Sequence, residues 1–104
     1  MSYVLGNIVK QSVISVTLSP ASVAANTSAE QTFTVNGLQV GDHVSVNKPT
    51  AQAGLGVVGA RVSAANTLAI TFGNFTASPI VPTASQVYTV LLSRKDSTIT
   101  DGNI

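Results

Sequence analysis

The chain has 104 residues, enough for one domain, and charged residues make up only 9% of it, against about 25% in an ordinary soluble domain. The net charge of +1, with scattered basic residues, gives no electrostatic footprint for nucleic acid or an anionic membrane. A single carboxylate, Asp42, lies between Glu30 and Asp96, so few titratable groups can converge in a catalytic site. We therefore expect a non-enzymatic module without cofactor or metal.

The segment 1–12 comes first and is predicted to form an N-terminal arm or one extra strand. Its apolar residues show no clear alternation, and they lack the basic start and long apolar run of a signal peptide. No window approaches the ~18 apolar residues of a membrane helix. The chain has no cysteine, so we expect core packing or oligomerisation to hold it together.

From Val13 onward apolar and polar residues alternate with a period of two, which is typical of strands with one buried face. The alternating segments are Val13–Leu18, Gln31–Val35, His43–Asn47 and 67–72. Gly, Asn and Pro residues separate them, as in turns. Gln86–Arg94 is apolar on both faces, which predicts a central strand or one that meets a neighbouring subunit. We predict an all-β fold, an antiparallel β-sandwich or small β-barrel of about six to eight short strands over residues 13–94, followed by a polar C-terminal tail at 95–104.

The glycines at 54, 56 and 59 spell the G-x-G-x-x-G pattern of dinucleotide-binding sites. That site needs a strand before the glycines, a helix after them and an acidic residue ~20 positions later. Here a loop precedes them, no amphipathic helix follows, and the next acid is Asp96. We therefore expect a loop or bulge leading into a strand through Val57–Val62.

Asp42 and His43 could be imagined as half of a catalytic dyad or metal site. No second histidine, cysteine or nearby carboxylate completes such a set. An acid after glycine in a turn commonly accepts backbone N–H groups, so Asp42 is predicted to stabilise a turn. Arg61 is predicted to form a salt bridge with Asp42 or to donate to loop carbonyls, with direct partner contact as the alternative.

The five aromatic residues could mark a contact surface. By alternation, Phe33 and Phe72 are predicted to be buried, which leaves Tyr3, Phe75 and Tyr88 as possible exposed contacts. The chain has no tryptophan, which argues against a sugar-binding platform without excluding one.

A series of short motifs is spaced between Val16 and Arg94. Its members are Ser22–Thr32, Val35–Leu38, Gly41-Asp42, Val44, Val46, Asn47–Pro49, Gly54–Gly56, Ala60–Ala64, Leu68–Ile70, Asn74–Thr76, Pro82-Thr83 and Tyr88–Val90. With this series, over about three quarters of the chain, the sequence resembles a family of small tailed-bacteriophage virion proteins, described as head fibre, tail fibre or capsid decoration proteins.

The resemblance implies a non-enzymatic virion component, assembled in the host bacterial cytoplasm and oligomeric, often trimeric. We expect a capsid decoration or head fibre protein that binds the major capsid protein on the outer capsid surface and stabilises the shell. Our hypothesis for the capsid or subunit contact is the apolar side chains of the arm: Tyr3, Val4, Leu5, Ile8 and Val9.

Three alternatives stay open. The same fold could belong to a tail or receptor-binding fibre, with the loops Lys48–Gly54 and Phe75–Pro82 meeting a host surface. It could also be a carbohydrate-binding or adhesion module. An enzyme that uses Asp42 and His43 is the most remote reading.

Overall fold

The structure, a computed structural model of the chain, describes residues 8–95. Six strands lie in this range: β1 (Ile8–Leu18), β2 (Thr27–Thr34), β3 (His43–Asn47), β4 (Leu55–Ala64), β5 (Thr67–Asn74) and β6 (Gln86–Lys95). The all-β prediction is confirmed. Among the described residues there is no helix that could cross a membrane.

The strands form two three-stranded antiparallel sheets, in a small β-sandwich-like arrangement. One sheet has the order β1-β6-β3 and the other the order β2-β5-β4. The predicted central strand, β6, does lie between two neighbours. β4 and β5 are consecutive strands of one sheet, whereas the chain changes sheets at each of the other connections.

The core lies between the sheets, on the inward positions of the alternating strands. Its fully buried side chains include Phe72, Leu68 and Ile70 from β5 and Val90 and Leu92 from β6. Phe33 is half-buried and packs against this core. Burying large apolar side chains contributes about 1.5–3 kcal/mol each to folding, which makes this the main source of stability.

The pairing register divides the sandwich into two ends. Ile8 pairs with Lys95 at the end that we call the ribbon end, and Leu18 pairs with Gln86 at the opposite end. The loops 19–26, 48–54 and 75–85 lie at this opposite end, which we call the loop end. With ~3.3 Å per residue, the ten residues of β6 separate the ends by about 30 Å.

The Gly-rich segment becomes the start of β4. The strand begins at Leu55, and its register with β5 shifts between Val57 and Gly59, as in a β-bulge. A side chain on Gly54, where φ is +78°, would collide with Thr76. The glycines thus serve a tight loop and a bulge, as expected from the sequence.

Tyr88 was a candidate exposed contact, and that prediction is wrong. Its side chain is 0% exposed, because it shares the inward face of β6 with Val90 and Leu92. Both faces of this strand are apolar, so alternation alone could not choose between them. Among residues 8–95 the Tyr88 hydroxyl has no hydrogen-bond partner, and burial raises the pKa of Tyr88.

We expect the substitution Tyr88→Phe to stabilise the domain by about 1 kcal/mol, because a buried hydroxyl without a partner costs about 1–3 kcal/mol. Thermal unfolding should shift upward by about 4–8 °C per kcal/mol in a domain of this size. Circular dichroism melting of the two proteins measures the shift. A variant less stable than the parent would show that the hydroxyl is satisfied.

Candidate functional site

A bidentate ion pair between Asp42 and Arg94 stabilises the loop at the ribbon end. Arg94 Nε and Nη2 donate to the Asp42 carboxylate oxygens at 2.8 and 2.9 Å, and the Asp42 side chain is only 2% exposed. The same Nη2 donates to the Gly37 carbonyl, and the Gln39 N–H donates to Asp42. Hydrogen bonds from Arg94 and from Gln39 hold the pKa of Asp42 below its usual value, against the effect of burial.

Arg61 does not pair with Asp42, so the salt bridge predicted between them is wrong. Arg61 lies on the outer face of the β2-β5-β4 sheet and donates to both carboxylate oxygens of Glu30, at 2.8 and 2.9 Å. Glu30 is on β2 and Arg61 on β4, so their ion pair spans the central strand above Ala69 and Thr71. It is largely exposed and lowers the pKa of Glu30.

The sequence offered no signal for either pairing. Asp42 and Arg94 are 52 positions apart, and Glu30 and Arg61 are 31 positions apart. Arg94 became the partner of Asp42 because β3 pairs with the end of β6, which places the loop before His43 beside Arg94. Both facts depend on strand order, which alternation does not specify.

The outward side chains of the β1-β6-β3 sheet form a second candidate surface, which we call the neutral face. It comprises Gln11, Val13, Ser15 and Thr17 of β1, Val87, Thr89, Leu91 and Ser93 of β6, and His43, Ser45 and Asn47 of β3. None of these residues is Asp, Glu, Lys or Arg, and the next outward position of β6, at the ribbon end, is the exposed Lys95. Its apolar members are exposed: Val13 at 68%, Val87 at 51% and Leu91 at 36%. Val13 and Leu91 lie directly opposite each other across neighbouring strands.

Two of the proposed attachment residues lie in β1, at the ribbon end. Ile8 and Val9 are exposed there, beside a register irregularity in the pairing with β6. Val9 lines a concavity of about 300 Å³ with Val40, Asp42, Arg94 and other residues of this end. The other three, Tyr3, Val4 and Leu5, lie outside the described residues, as does the tail after Lys95. Residues 8–12 of the proposed arm continue without interruption into Val13–Leu18.

The two loops proposed for a host surface contact each other at the loop end. The Phe75 N–H donates to the Gly54 carbonyl at 2.8 Å, and Gln52 bonds the Val81 carbonyl and the Thr83 N–H. Phe75 is 72% exposed, and its ring lies over Gly73, where an added Cβ would come within 2.9 Å of it. Gly73 therefore permits the Phe75 ring to approach the sheet closely.

The Asn74 side chain links loops 19–26 and 75–85 by hydrogen bonds, a role that its sequence context does not indicate. It is 1% exposed, and its amide N–H₂ donates to the carbonyls of Val23 and Ser78 at 3.0 and 2.8 Å. Its side-chain oxygen accepts from the N–H and the hydroxyl of Thr76. All four hydrogen bonds that an amide side chain can form are present.

Within 8–95, no three His, Cys, Asp or Glu side chains are grouped so that they could hold a metal ion.

Comparison of the chain with protein-family models, curated sequences and solved structures finds no match in any of the three.

Proposed function

We propose that the protein is a structural component of a phage virion, a capsid decoration or head fibre protein that binds the outer capsid surface as an oligomer and stabilises the shell. The proposal rests on the sequence resemblance and is supported by one observation above all, the neutral face. A solvated sheet face is ordinarily polar or charged, whereas this one exposes apolar side chains and carries no Asp, Glu, Lys or Arg.

The arrangement of the ends suits attachment through one of them. Ile8 and Lys95 are paired, so the segments 1–7 and 96–104 both join the described chain at the ribbon end. In the proposed arrangement this end meets the major capsid protein, and the loop end points away from the shell. The proposed partners are the capsid protein and further copies of the chain, as trimers if the resemblance holds.

We expect deletion of residues 2–7 to abolish capsid binding and to leave the domain folded. The cut stops at residue 7 because residues 8–10 belong to β1, where they help to form the ribbon with β6. Purified protein is mixed with empty capsids, and bound copies are counted after sedimentation and resolved by cryo-electron microscopy. Circular dichroism melting checks the fold.

A full-length variant with Tyr3, Val4 and Leu5 all changed to Ser is the matched control for length. It should also lose binding if these apolar side chains make the contact. Undiminished binding by the deletion variant would contradict attachment through the arm. Failure of the parent protein to bind any capsid would contradict the decoration function itself.

A tail or receptor-binding fibre is the second candidate, and the contact between the two exposed loops favours it. Phe75 and Val81 are both exposed at the loop end, and each is bonded through its backbone to the loop 48–54. Copy number separates the two functions: a decoration protein occurs in hundreds of copies per virion, whereas a tail fibre occurs in a handful. Quantitative mass spectrometry of purified virions would give that number.

A further inference from the structure

We propose that copies of this chain associate with one another through the neutral face. The inference rests on the self-association that is part of the proposed function, but not on capsid binding. It assigns one of the two broad sides of the sandwich to the contact between copies and leaves the other side exposed.

The outer faces of the sheets are the broad sides of the sandwich. Because about 30 Å separates the two ends, copies that associate side by side bury more surface than copies that meet end to end. One of these two faces is therefore the expected contact surface.

The two outer faces differ in charge. The outer face of the β2-β5-β4 sheet carries the Glu30–Arg61 ion pair, and burying that pair under a neighbour would cost desolvation energy. Within the neutral face no carboxylate, lysine or arginine would have to be desolvated or would meet a like charge on a second copy, because Lys95 lies beyond it at the ribbon end. With a net charge of +1, the chain as a whole also repels itself little.

The neutral face exposes three apolar side chains. Val13, Val87 and Leu91 lie on two adjacent strands, and covering them with a second copy would remove them from water. Three strands at ~4.8 Å spacing and seven residues of β6 give a flat projection of about 300 Å². A standard interface uses about 800 Å² per partner, so this contact alone should be reversible on dilution.

The test is a pair of charged substitutions that leaves the fold intact. Val13→Lys with Leu91→Glu places opposite charges on directly paired positions of β1 and β6, where they support each other within one copy. At an interface the same charges would have to be desolvated, so we expect association to weaken by more than about tenfold. Light scattering over a range of concentrations measures the mass.

A second variant of the neutral face covers the case in which the double substitution does not fold, and two control variants change the outer face of the other sheet. Ser15→Arg adds bulk and charge to an exposed position of the neutral face without removing a packed side chain. Thr34→Arg, at an exposed position of β2, is the control for Ser15→Arg. Glu30→Lys combined with Arg61→Glu reverses an existing ion pair and is the control for the double substitution. Both controls should keep the oligomer mass, and all four variants should keep the circular dichroism spectrum of the parent.

Each outcome decides the proposal. Oligomers in the parent and both controls, with monomers in both neutral-face variants, support it. Oligomers that survive Ser15→Arg and the double substitution would overturn it, as would a parent protein that is monomeric at every concentration. Capsid binding is scored separately with the same proteins, so a parent that forms oligomers through this face but ignores capsids would contradict only the decoration function.

Discussion

Replacing Asn74 with alanine should lower the free energy of unfolding by about 3 kcal/mol, a large part of the 5–15 kcal/mol available to a domain. The substitution removes four hydrogen bonds at once and leaves the N–H of Thr76 without its acceptor. The carbonyls of Val23 and Ser78 each lose one of two donors, because the Ile80 N–H still donates to the first and the Thr76 hydroxyl to the second. Each net hydrogen bond contributes about 1 kcal/mol, so the loss of four accounts for the decrease. Urea unfolding followed by circular dichroism gives the difference.

Two further variants identify the cause. Asn74→Asp keeps the shape and the acceptor oxygen but cannot donate to the two carbonyls when ionised, so it should also destabilise. Asn47→Ala, at an exposed position of β3, should stay within about 0.5 kcal/mol of the parent. Stability of Asn74→Ala within the same margin would contradict the role assigned to this side chain.

In Asn74→Ala we expect the loops around residue 74 to open more readily than the domain as a whole unfolds. The bridge between Val23 and Ile80 pairs their backbones in both directions, and Asn74 lies behind it. We therefore expect the amides of Val23 and Ile80 to exchange with deuterium faster in Asn74→Ala than those of β6. Since the same segment carries Phe75 and Val81, any binding by the loop end would weaken with it.

The strands were predictable because their chemistry is local. Alternation of Val, Ile, Thr and Phe with polar residues located four of the six strands, and the two apolar faces of Gln86–Arg94 identified a fifth as the central one. The strand predicted through Val57–Val62, after a glycine motif that does not fit a nucleotide site, lies within β4, which begins earlier, at Leu55. β1 extends farther toward the N-terminus than its alternation does, because exposed residues 8–11 follow β6 beyond the core.

Long-range partners were not predictable, because each depends on which strands become neighbours. The sequence predicts Asp42 or loop carbonyls as partners of Arg61, yet strand order places Glu30 across β5 from it. Tyr88 is a possible exposed contact by sequence, although the register turns it inward. The burial of Asn74 likewise depends on the loops that close over it, and no local pattern indicates it.

Two glutamine side chains form the hydrogen bonds that a neighbouring strand would otherwise form, and the sequence does not indicate this role. Gln31 accepts from the Ala21 N–H and donates to the Ala21 carbonyl, as a neighbouring strand would. Gln52 does the same between Val81 and Thr83. These two glutamines hold segments that lack regular strands, and no local pattern distinguishes them from ordinary surface glutamines.

Replacing Arg94 with alanine should have the second large effect, lowering the melting temperature on the order of 10 °C at neutral pH. The substitution leaves the Asp42 carboxylate, 2% exposed, without its cation and deprives the Gly37 carbonyl of a donor. Arg61→Ala is the matched control, because its ion pair is largely exposed and such pairs contribute little. Equal losses in the two variants would contradict the distinction between the pairs.

The pH dependence of the loss tests its cause. Since the pKa of Asp42 in the folded protein lies below its unfolded value of about 4, the ionised pair stabilises the fold above that pH, and the contribution disappears as the pH falls through the folded pKa. Without Arg94, burial would instead oppose ionisation of the Asp42 carboxyl group, so protonation in acid should remove the cost of a buried, unpaired carboxylate. The gap in urea midpoint between the parent and Arg94→Ala should therefore narrow between pH 7 and pH 3. A gap of constant size would mean that Arg94 stabilises the loop through Gly37 and packing, and that the ion pair contributes nothing to the closure of the ribbon end.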